Sequence, residues 1–246
     1  QPNFNEAAGY DDQNPYENRD PRFYQSVYFN GAQRHWDDPD ELVKIYDNAP
    51  RDSSCAIDKT TIRNTRTGYY MRKYDKHTSS YETPVTGYVR RFRLAELYLN
   101  FAEAANEAYG PTQQVEGYSG QASVEAVNAV RTRADMPNVR DEYTTDRDVF
   151  RDRIWNERRV EFAFEPLRFY DIRLWKSLDE AETVGTGMRA TKNDSDGTFT
   201  YKRFVVSERK SNADTYLLFP LPTDEVNKMY KLTGTNWQNP GYESPE

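Results

Sequence analysis

Cysteine and histidine are scarce in this sequence. Its 246 residues include one cysteine, Cys55, and two histidines, His35 and His77. A single cysteine cannot form an intramolecular disulfide or a thiolate zinc cluster, and two histidines argue against a histidine-based metal site. We therefore expect neither a metal ion nor a cofactor.

Long apolar runs and basic clusters are also missing. No apolar stretch approaches the roughly 20 residues that a membrane-spanning helix needs. The formal net charge is −7 and no basic stripe stands out, which argues against a nucleic-acid partner. No signal peptide is visible and the chain starts at Gln1 rather than at a methionine, so we interpret the sequence as a processed or trimmed piece.

Aromatic residues are what the sequence has in quantity. Hydrophobic residues make up only 36% of the chain, but aromatic residues account for 14%, with 19 Tyr, 12 Phe and 4 Trp. Tyrosine and tryptophan bury large areas while they keep a polar group for hydrogen bonding. A chain of this length can also form a sizeable core. The composition therefore predicts a folded, loop-rich protein rather than a disordered one.

The spacing of apolar residues divides the sequence into three regions. Residues 1–90 are polar and rich in turn signals, residues 91–176 show helical periodicity, and residues 177–246 form a loop and short-strand cover. The helical region predicts helices at about 91–109, 122–133, 146–165 and 167–176. We expect one mainly α domain spanning residues 1–246. Its helices would form tetratricopeptide-like hairpins, with long irregular loops and a few short strands.

Local signals predict where several elements begin and end. The segment 22–31 alternates apolar and polar residues and ends at an Asn-Gly turn, which predicts a short strand. Gly110 is expected to end the first long helix. Thr145 is the expected N-cap of the third, and Pro166 should break that helix or open the next one.

A run at residues 153–176 mixes large aromatic residues with charges of both signs at helical spacing. Glu157 and Glu161 lie one helical turn apart, and a pair of carboxylates can serve a glycoside hydrolase as acid and nucleophile. Arginines surround this pair, however, and a neighbouring arginine lowers a carboxylate pKa, whereas a general acid needs it raised. The run therefore favours structure over catalysis.

The expected structure is an ion network that holds the third and fourth predicted helices in register. Helical spacing pairs Glu157 with Arg153, four residues earlier. It pairs Glu161 with Arg158, three residues earlier. The predicted members of the network are Arg153, Glu157, Arg158, Glu161, Arg168 and Arg173.

Sugar recognition uses flat aromatic faces and planar polar groups, commonly on loops. The segment 30–38 follows the predicted strand and contains these residue types. Trp36 is the main candidate for a ligand platform, and its alternative role is to cover the helical core. A second loop cluster is rich in tyrosine, a residue that more often packs than binds ligand. The other candidate ligand-binding residues are Arg34, His35, Asp37, Tyr70 and Tyr74.

Six segments spread over nearly the whole chain carry a family resemblance. In order they are DPRFYQSVYFNG (20–31), RLAELYLNFAEAANEA (93–108), AVNAVRTRADMP (126–137), RIWNERRVEFAFEPLRFYDIRLWK (153–176), LLFPLPTDEV (217–226) and NWQNPGY (236–242). They resemble the C-terminal half of the SusD/RagB-like family, the glycan-binding lipoproteins of the Bacteroidetes outer membrane. One departure is Pro166, where family members usually carry glycine.

The resemblance implies a non-enzymatic protein that binds a glycan or polysaccharide at the cell surface and delivers it to a TonB-dependent transporter. It also implies a place on the outer membrane, through a lipid anchor of the full-length protein that this chain does not contain. Two alternatives remain. One is a helical-repeat adaptor that binds only protein partners, and the weaker one is a glycoside hydrolase.

Overall fold

The computed structural model describes residues 10–35, 38–47, 49, 65–75, 87, 90–118, 121–178, 184–208 and 213–242. The chain divides into two compact units. The larger unit comprises Phe4–Glu165 and Met188–Arg203, and the smaller one comprises Gln1–Asn3, Pro166–Gly187 and Phe204–Glu246. Helices predominate over short strands, as the sequence predicts. The single domain over residues 1–246 and the tetratricopeptide-like character of the hairpins stay predictions.

The first element of the larger unit is a short helix, α1 (Pro21–Ser26), where the sequence predicts a strand. Asp20 is its N-cap and accepts a hydrogen bond from the amide of Arg22, while a proline at the first position suits the helical φ. These start signals outweigh the apolar alternation. Only β1 (Val27–Tyr28) is extended, and it pairs antiparallel with β4 (Tyr70–Met71).

A second hairpin joins β2 (Gln33–His35) to β3 (Asp38–Leu42). The chain enters it through Gly31, whose φ of +85° is a left-handed conformation that glycine adopts without strain. The amide of Gly31 donates a hydrogen bond to the carbonyl of Val43. A small core lies beneath this turn and consists of Tyr28, Ala32, Val43 and Ile45, with Phe29 and Tyr70 packed against it.

The helical part of the larger unit begins with α2 (Leu94–Tyr109) and α3 (Ala122–Arg133), which pack against each other. Ala102 is fully buried, and the hydroxyl of Ser123 donates a 2.6 Å hydrogen bond to its carbonyl. Small residues at this contact let the two backbones approach closely. Gly110 ends α2 with a φ of +91°, as the sequence predicts.

Next comes α4 (Arg147–Glu161), whose ends differ from the prediction. Its N-cap is Asp146, one residue after the expected Thr145. The Asp146 side chain accepts hydrogen bonds from the amides of Asp148 and Val149. A carboxylate accepts from these amides and also suits the positive end of the helix dipole. The helix ends four residues earlier than predicted because the chain enters a turn over 162–165.

Among its described residues, the smaller unit contains three further helices and part of a two-stranded sheet. Its first helix follows Pro166, which is the N-cap rather than a helical residue. A strand at Val184–Lys192 is an element that the sequence does not predict, since its glycines resemble turn signals. The elements are α5 (Leu167–Leu174), β5 (Val184–Lys192), β6 (Phe199–Glu208), α6 (Ala213–Tyr216) and α7 (Thr223–Thr233).

Strands β5 and β6 pair with each other, and their residues are divided between the two units. Within the described ranges, no helix combines the length and the apolar composition that crossing a membrane would require.

Candidate functional site

Two carboxylates on α4 are buried in the larger unit. Glu157 is 2% exposed and Glu161 is 4% exposed. Their four-residue spacing places both on one face of the helix. A carboxylate that loses its water needs cationic or hydrogen-bonding partners to stay ionised. Those partners come from segments far away in the sequence.

Arg22 of α1 reaches both carboxylates with one nitrogen. Its Nη1 lies 2.6 Å from Glu157 Oε1 and 2.9 Å from Glu161 Oε2. Its Nε and Nη2 donate to the two oxygens of Asp20, at 2.9 and 2.7 Å. Asp20 therefore caps α1 and also orients the guanidinium that faces α4.

The last turn of α3 supplies two more guanidinium groups. Arg131 Nη1 donates to Glu157 Oε2 at 2.8 Å. Arg133 Nη2 lies 2.7 and 2.8 Å from the two oxygens of Glu161. Cations at this position also face the negative end of the α3 dipole. The same contacts thus stabilise α3 and neutralise the face of α4.

Arg93 and Lys73 bind the C-terminal end of α4. Arg93 Nη1 pairs with Glu161 Oε1, and Arg93 Nη2 donates to the Glu161 carbonyl at 2.7 Å and to Glu165 Oε1 at 2.9 Å. Lys73 Nζ donates to Glu165 Oε1 at 2.6 Å and to the carbonyls of Glu161 and Ala163 at 3.1 and 2.9 Å. Carbonyls at a helix end lack intrahelical donors, so these two cations cap α4.

The cations hold Glu161 and Glu165 in the ionised form. Burial raises the pKa of each carboxyl group, but hydrogen bonds and charges from the neighbouring cations outweigh burial, and the pKa of both groups falls below its usual value. The strongest of these hydrogen bonds come from Arg93 and Arg22 for Glu161, and from Arg93 and Lys73 for Glu165. A general acid in a glycosidase needs the opposite shift.

The arginines that helical spacing pairs with these carboxylates make other contacts. Arg153 lies over the ring of Tyr143, with 3.8 Å between Cζ and the ring centroid. Arg158 Nη1 donates to Asn100 Oδ1 at 2.6 Å. The second contact holds α4 to α2, since Asn100 belongs to α2.

Arg168 and Arg173 belong to the smaller unit. Arg168 Cζ lies 5.9 Å from the centroid of the Trp175 ring. Arg173 Nη1 donates to the carbonyl of Phe169 at 2.7 Å. Arg173 Cζ also lies 3.6 Å from the centroid of the Phe169 ring. Helical spacing reveals only neighbours on the same helix, so it did not indicate the arginines that bind Glu157 and Glu161. Those arginines are Arg22, Arg93, Arg131 and Arg133.

A cleft of about 520 Å³ opens over this ion network. Its size falls within the roughly 300–1,000 Å³ typical of small-molecule sites. Glu161 and Glu165 lie among its lining residues, and Tyr74, predicted as a ligand-binding residue, is another. The described lining residues are Arg22, Gln25, Ser26, Lys73, Tyr74, Asp75, Gly87, Arg90, Arg93, Arg133, Glu161 and Glu165.

The β2–β3 hairpin brings two of the other predicted binding residues together. His35 Nδ1 lies 2.9 Å from Glu41 Oε2, and Arg34 Nε lies 3.8 Å from Glu41 Oε1. Trp36 and Asp37, which the sequence analysis also predicts as ligand contacts, lie outside the described residues. Their roles stay predictions.

The hydroxyl of Tyr28 lies between this hairpin and the cleft. It is 2.8 Å from Asp75 Oδ2, on the cleft lining, and 3.3 Å from the carbonyl of Arg34, on β2. Burial, with the hydrogen bond to Asp75, raises the pKa of Tyr28 to about 12, so the hydroxyl stays a donor. Tyr70, by contrast, packs on the small core, and its hydroxyl accepts a hydrogen bond from the amide of Thr65 at 3.1 Å.

In the part of the chain that the structure describes, no group of three or more His, Cys, Asp or Glu side chains has the arrangement to hold a metal ion. The polar side chains among the described lining residues of the cleft carry guanidinium, ammonium, carboxylate, amide, hydroxyl and phenol groups.

Comparisons with known proteins find the same family that the sequence motifs resemble. A search of curated proteins finds no match. Among solved structures, a SusD-like protein (BF3747) from Bacteroides fragilis NCTC 9343 shares 31% sequence identity with a TM-score of 0.68, over 93% of this chain and 40% of that one. A SusD-like carbohydrate binding protein (BF0978) from the same organism shares the fold, at 24% identity and a TM-score of 0.61, over 92% of this chain and 43% of that one.

The chain thus spans less than half the length of these two structures. The family model described as the SusD family matches residues 3–242, nearly the entire sequence. On that match, this chain belongs to the SusD family.

Proposed function

We propose that this chain takes part in the non-catalytic binding of a glycan at a bacterial cell surface. The observation that carries the proposal is the match of the SusD family model to residues 3–242. One of the similar structures, BF0978, is described as carbohydrate binding. The cleft and the polar hairpin beside it give the chain surfaces with the residue types that sugar recognition uses.

The geometry of α4 supports binding without hydrolysis. Retaining and inverting glycosidases need one carboxyl group that stays protonated near neutral pH. Glu161 and Glu165 have lowered pKa values instead, and each is tied to two or more cations. These carboxylates have a structural role, and contact with the sugar falls to the neighbouring loops and the cleft.

Two groups of residues are proposed as the ligand surface. The first comprises Arg34 and His35 of β2 as hydrogen-bonding groups, together with Trp36 as a stacking platform and Asp37 as a further hydrogen-bonding group, two residues that lie outside the described part of the chain. The second is the cleft, where Tyr74 offers a phenol ring and hydroxyl. The hydroxyl of Tyr28 lies within 3.3 Å of atoms in both groups, which supports one continuous binding region.

The family resemblance also supports proposals for the partner, the cellular location and the role of the helices. The proposed partner is a TonB-dependent outer-membrane transporter that receives the glycan. The proposed location is the outer surface of the outer membrane, where a lipid anchor of the full-length protein would hold it. The helix hairpins would be tetratricopeptide-like and would form the scaffold behind the binding loops.

Calorimetric titration of the 246-residue chain with a panel of polysaccharides tests the proposal. Binding to at least one glycan, with no release of reducing ends after prolonged incubation, is the expected result. Trp36→Ala should weaken that binding at least about tenfold, as expected for loss of an aromatic anchor. Trp237→Ala is the matched control, because Trp237 is an exposed tryptophan of the smaller unit.

The same experiment separates the alternatives. A protein-only adaptor would bind no glycan in the panel but would bind a purified transporter. A glycoside hydrolase would release reducing ends, and the release would stop in Glu161→Gln. Either outcome would contradict non-catalytic glycan binding.

A further inference from the structure

We infer that the cleft over the ion network binds the acidic group of a charged glycan, a carboxylate or a sulfate on the sugar. This inference rests on the proposed function and names its ligand class. Five cations and three carboxylates line the cleft in the described part of the chain. The excess of positive charge is local, because the chain as a whole carries a net charge of −7.

Neighbouring cations already neutralise the buried carboxylates of the cleft. Glu161 is bound by Arg22, Arg93 and Arg133. Glu165 is bound by Lys73 and Arg93. A ligand entering the cleft therefore meets little uncompensated negative charge from these two groups. The positive charge that remains belongs to side chains at the rim.

Arg90 is the clearest of these rim cations. It is exposed and lines the cleft, and no hydrogen bond or ion pair engages it among the described residues. Arg133 is the second, because its side chain is 59% exposed and only its Nη2 is used for Glu161. Both present guanidinium N–H groups whose planar geometry suits the paired oxygens of a carboxylate or a sulfate.

The remaining lining suits a sugar ring rather than a bare anion. The Tyr74 ring can lie against the apolar face of a pyranose, while the Gln25 amide can bond hydroxyl groups. Asp75 adds a further acceptor for hydroxyl groups at the same edge. The volume of about 520 Å³ also exceeds what a lone oxyanion would fill. The cleft thus combines a site for one acidic group with a site for the ring that carries it.

Matched pairs of oligosaccharides test the inference by calorimetry on the 246-residue chain. The first pair is tri-galacturonate and its neutral methyl ester, and the second is a κ-carrageenan tetrasaccharide and its desulfated form. The expected result is that the charged member of one pair binds at least about tenfold more tightly than its neutral match. The pair that shows the difference identifies the acidic group. The preference should weaken as salt rises, since the rim charges are exposed.

Arg90→Gln is the variant that assigns the acidic group to the cleft. It should weaken binding of the charged sugar about tenfold and leave the neutral sugar within about twofold. Arg91→Gln is the matched control, because it removes the same charge from the next position, and Arg91 does not line the cleft. Since no hydrogen bond or ion pair holds Arg90 among the described residues, its loss should leave the melting temperature unchanged. Arg90→Lys should restore part of the affinity.

Two results would overturn the inference while the proposed function stands. One is equal binding of the charged and neutral members of both pairs alongside binding to a neutral glycan of the panel. The other is an equal effect of Arg90→Gln and Arg91→Gln on a charged sugar. If neither these sugars nor any polysaccharide of the panel binds, the proposed function fails and the inference fails with it.

Discussion

Arg22 Nη1 donates a hydrogen bond of 2.9 Å to Glu161 Oε2, across 139 positions of sequence. The contact ties the short helix α1 to the C-terminal end of α4. Both side chains are largely removed from solvent, with 11% and 2% of their surface exposed. Removal of either partner leaves the other as a buried and incompletely paired charge.

Glu161→Ala should therefore be strongly destabilising. The change leaves Arg22 and Arg93 without their shared carboxylate, and we expect the free energy of unfolding to fall by about 3–5 kcal/mol, enough to cause unfolding or aggregation. Urea denaturation followed by circular dichroism measures the loss. Glu142→Ala is the control, because Glu142 is 59% exposed and its pair with Arg140 should contribute less than about 1 kcal/mol. A Glu161→Ala protein with unchanged melting would contradict the structural role of the network.

Stability should also fall in acid because of Glu161 and Glu165. Their folded-state pKa values lie below the ordinary 4.5, so the unfolded chain binds protons first as pH falls. Their contribution is complete above about pH 5 and is lost as pH falls through the lowered folded values. Urea unfolding at a series of pH values between 7 and 3 should show this decline, with a shallower slope in Glu165→Gln. A stability that stays constant or rises over that acid range would count against the ionised pair.

Lys73→Met tests the cap on α4. The substitution keeps the aliphatic stem but removes the ammonium group that binds Glu165 and two carbonyls at the end of the helix. We expect a loss of about 1–3 kcal/mol in the free energy of unfolding, because the carbonyls and the carboxylate lose a charged donor. Lys228→Met, on a side chain that is 68% exposed, is the control and should change stability by less than about 0.5 kcal/mol. If the two variants lowered the free energy of unfolding equally, the Lys73 ammonium group would contribute no more to stability than that of an exposed lysine, which would contradict the capping role.

Ala102→Leu tests the close approach of α2 and α3. Ala102 is fully buried and its carbonyl accepts the hydroxyl of Ser123 at 2.6 Å. A larger side chain should force the helices apart and lower the free energy of unfolding by about 1–3 kcal/mol. Ala104→Leu, at an exposed position of the same helix, should be nearly neutral. A stable Ala102→Leu protein would mean that the two helices pack less closely than this contact indicates.

The sequence predicts the fold well where one signal dominates. Apolar spacing gives α3 at Ala122–Arg133, and a glycine gives the end of α2. It fails where two signals compete. The segment after Asp20 alternates like a strand, but a capping aspartate and a proline start α1 there. The strand β5 is missed because its glycines look like a turn, although pairing with β6 holds them extended.

The candidate site is predicted only in part because its contacts are long-range. Helical spacing indicates that Glu157 and Glu161 share a face, yet it cannot show which arginines face them. Arg22 and Arg131 reach Glu157 from α1 and α3, and no local pattern connects these positions. Composition makes Tyr74 a candidate, whereas nothing in the sequence distinguishes Arg90 from its neighbouring arginines, Arg91 and Arg93.

The titration of Glu161, followed by carboxyl ¹³C NMR, tests most directly whether the α4 carboxylates have a structural rather than a catalytic role. Arginine pairing predicts a midpoint below 4.5, as the lowered pKa of this buried group requires. A midpoint above 4.5 would show a carboxyl group that holds its proton, as a general acid does, and would contradict the assignment of Glu161 to a structural ion network.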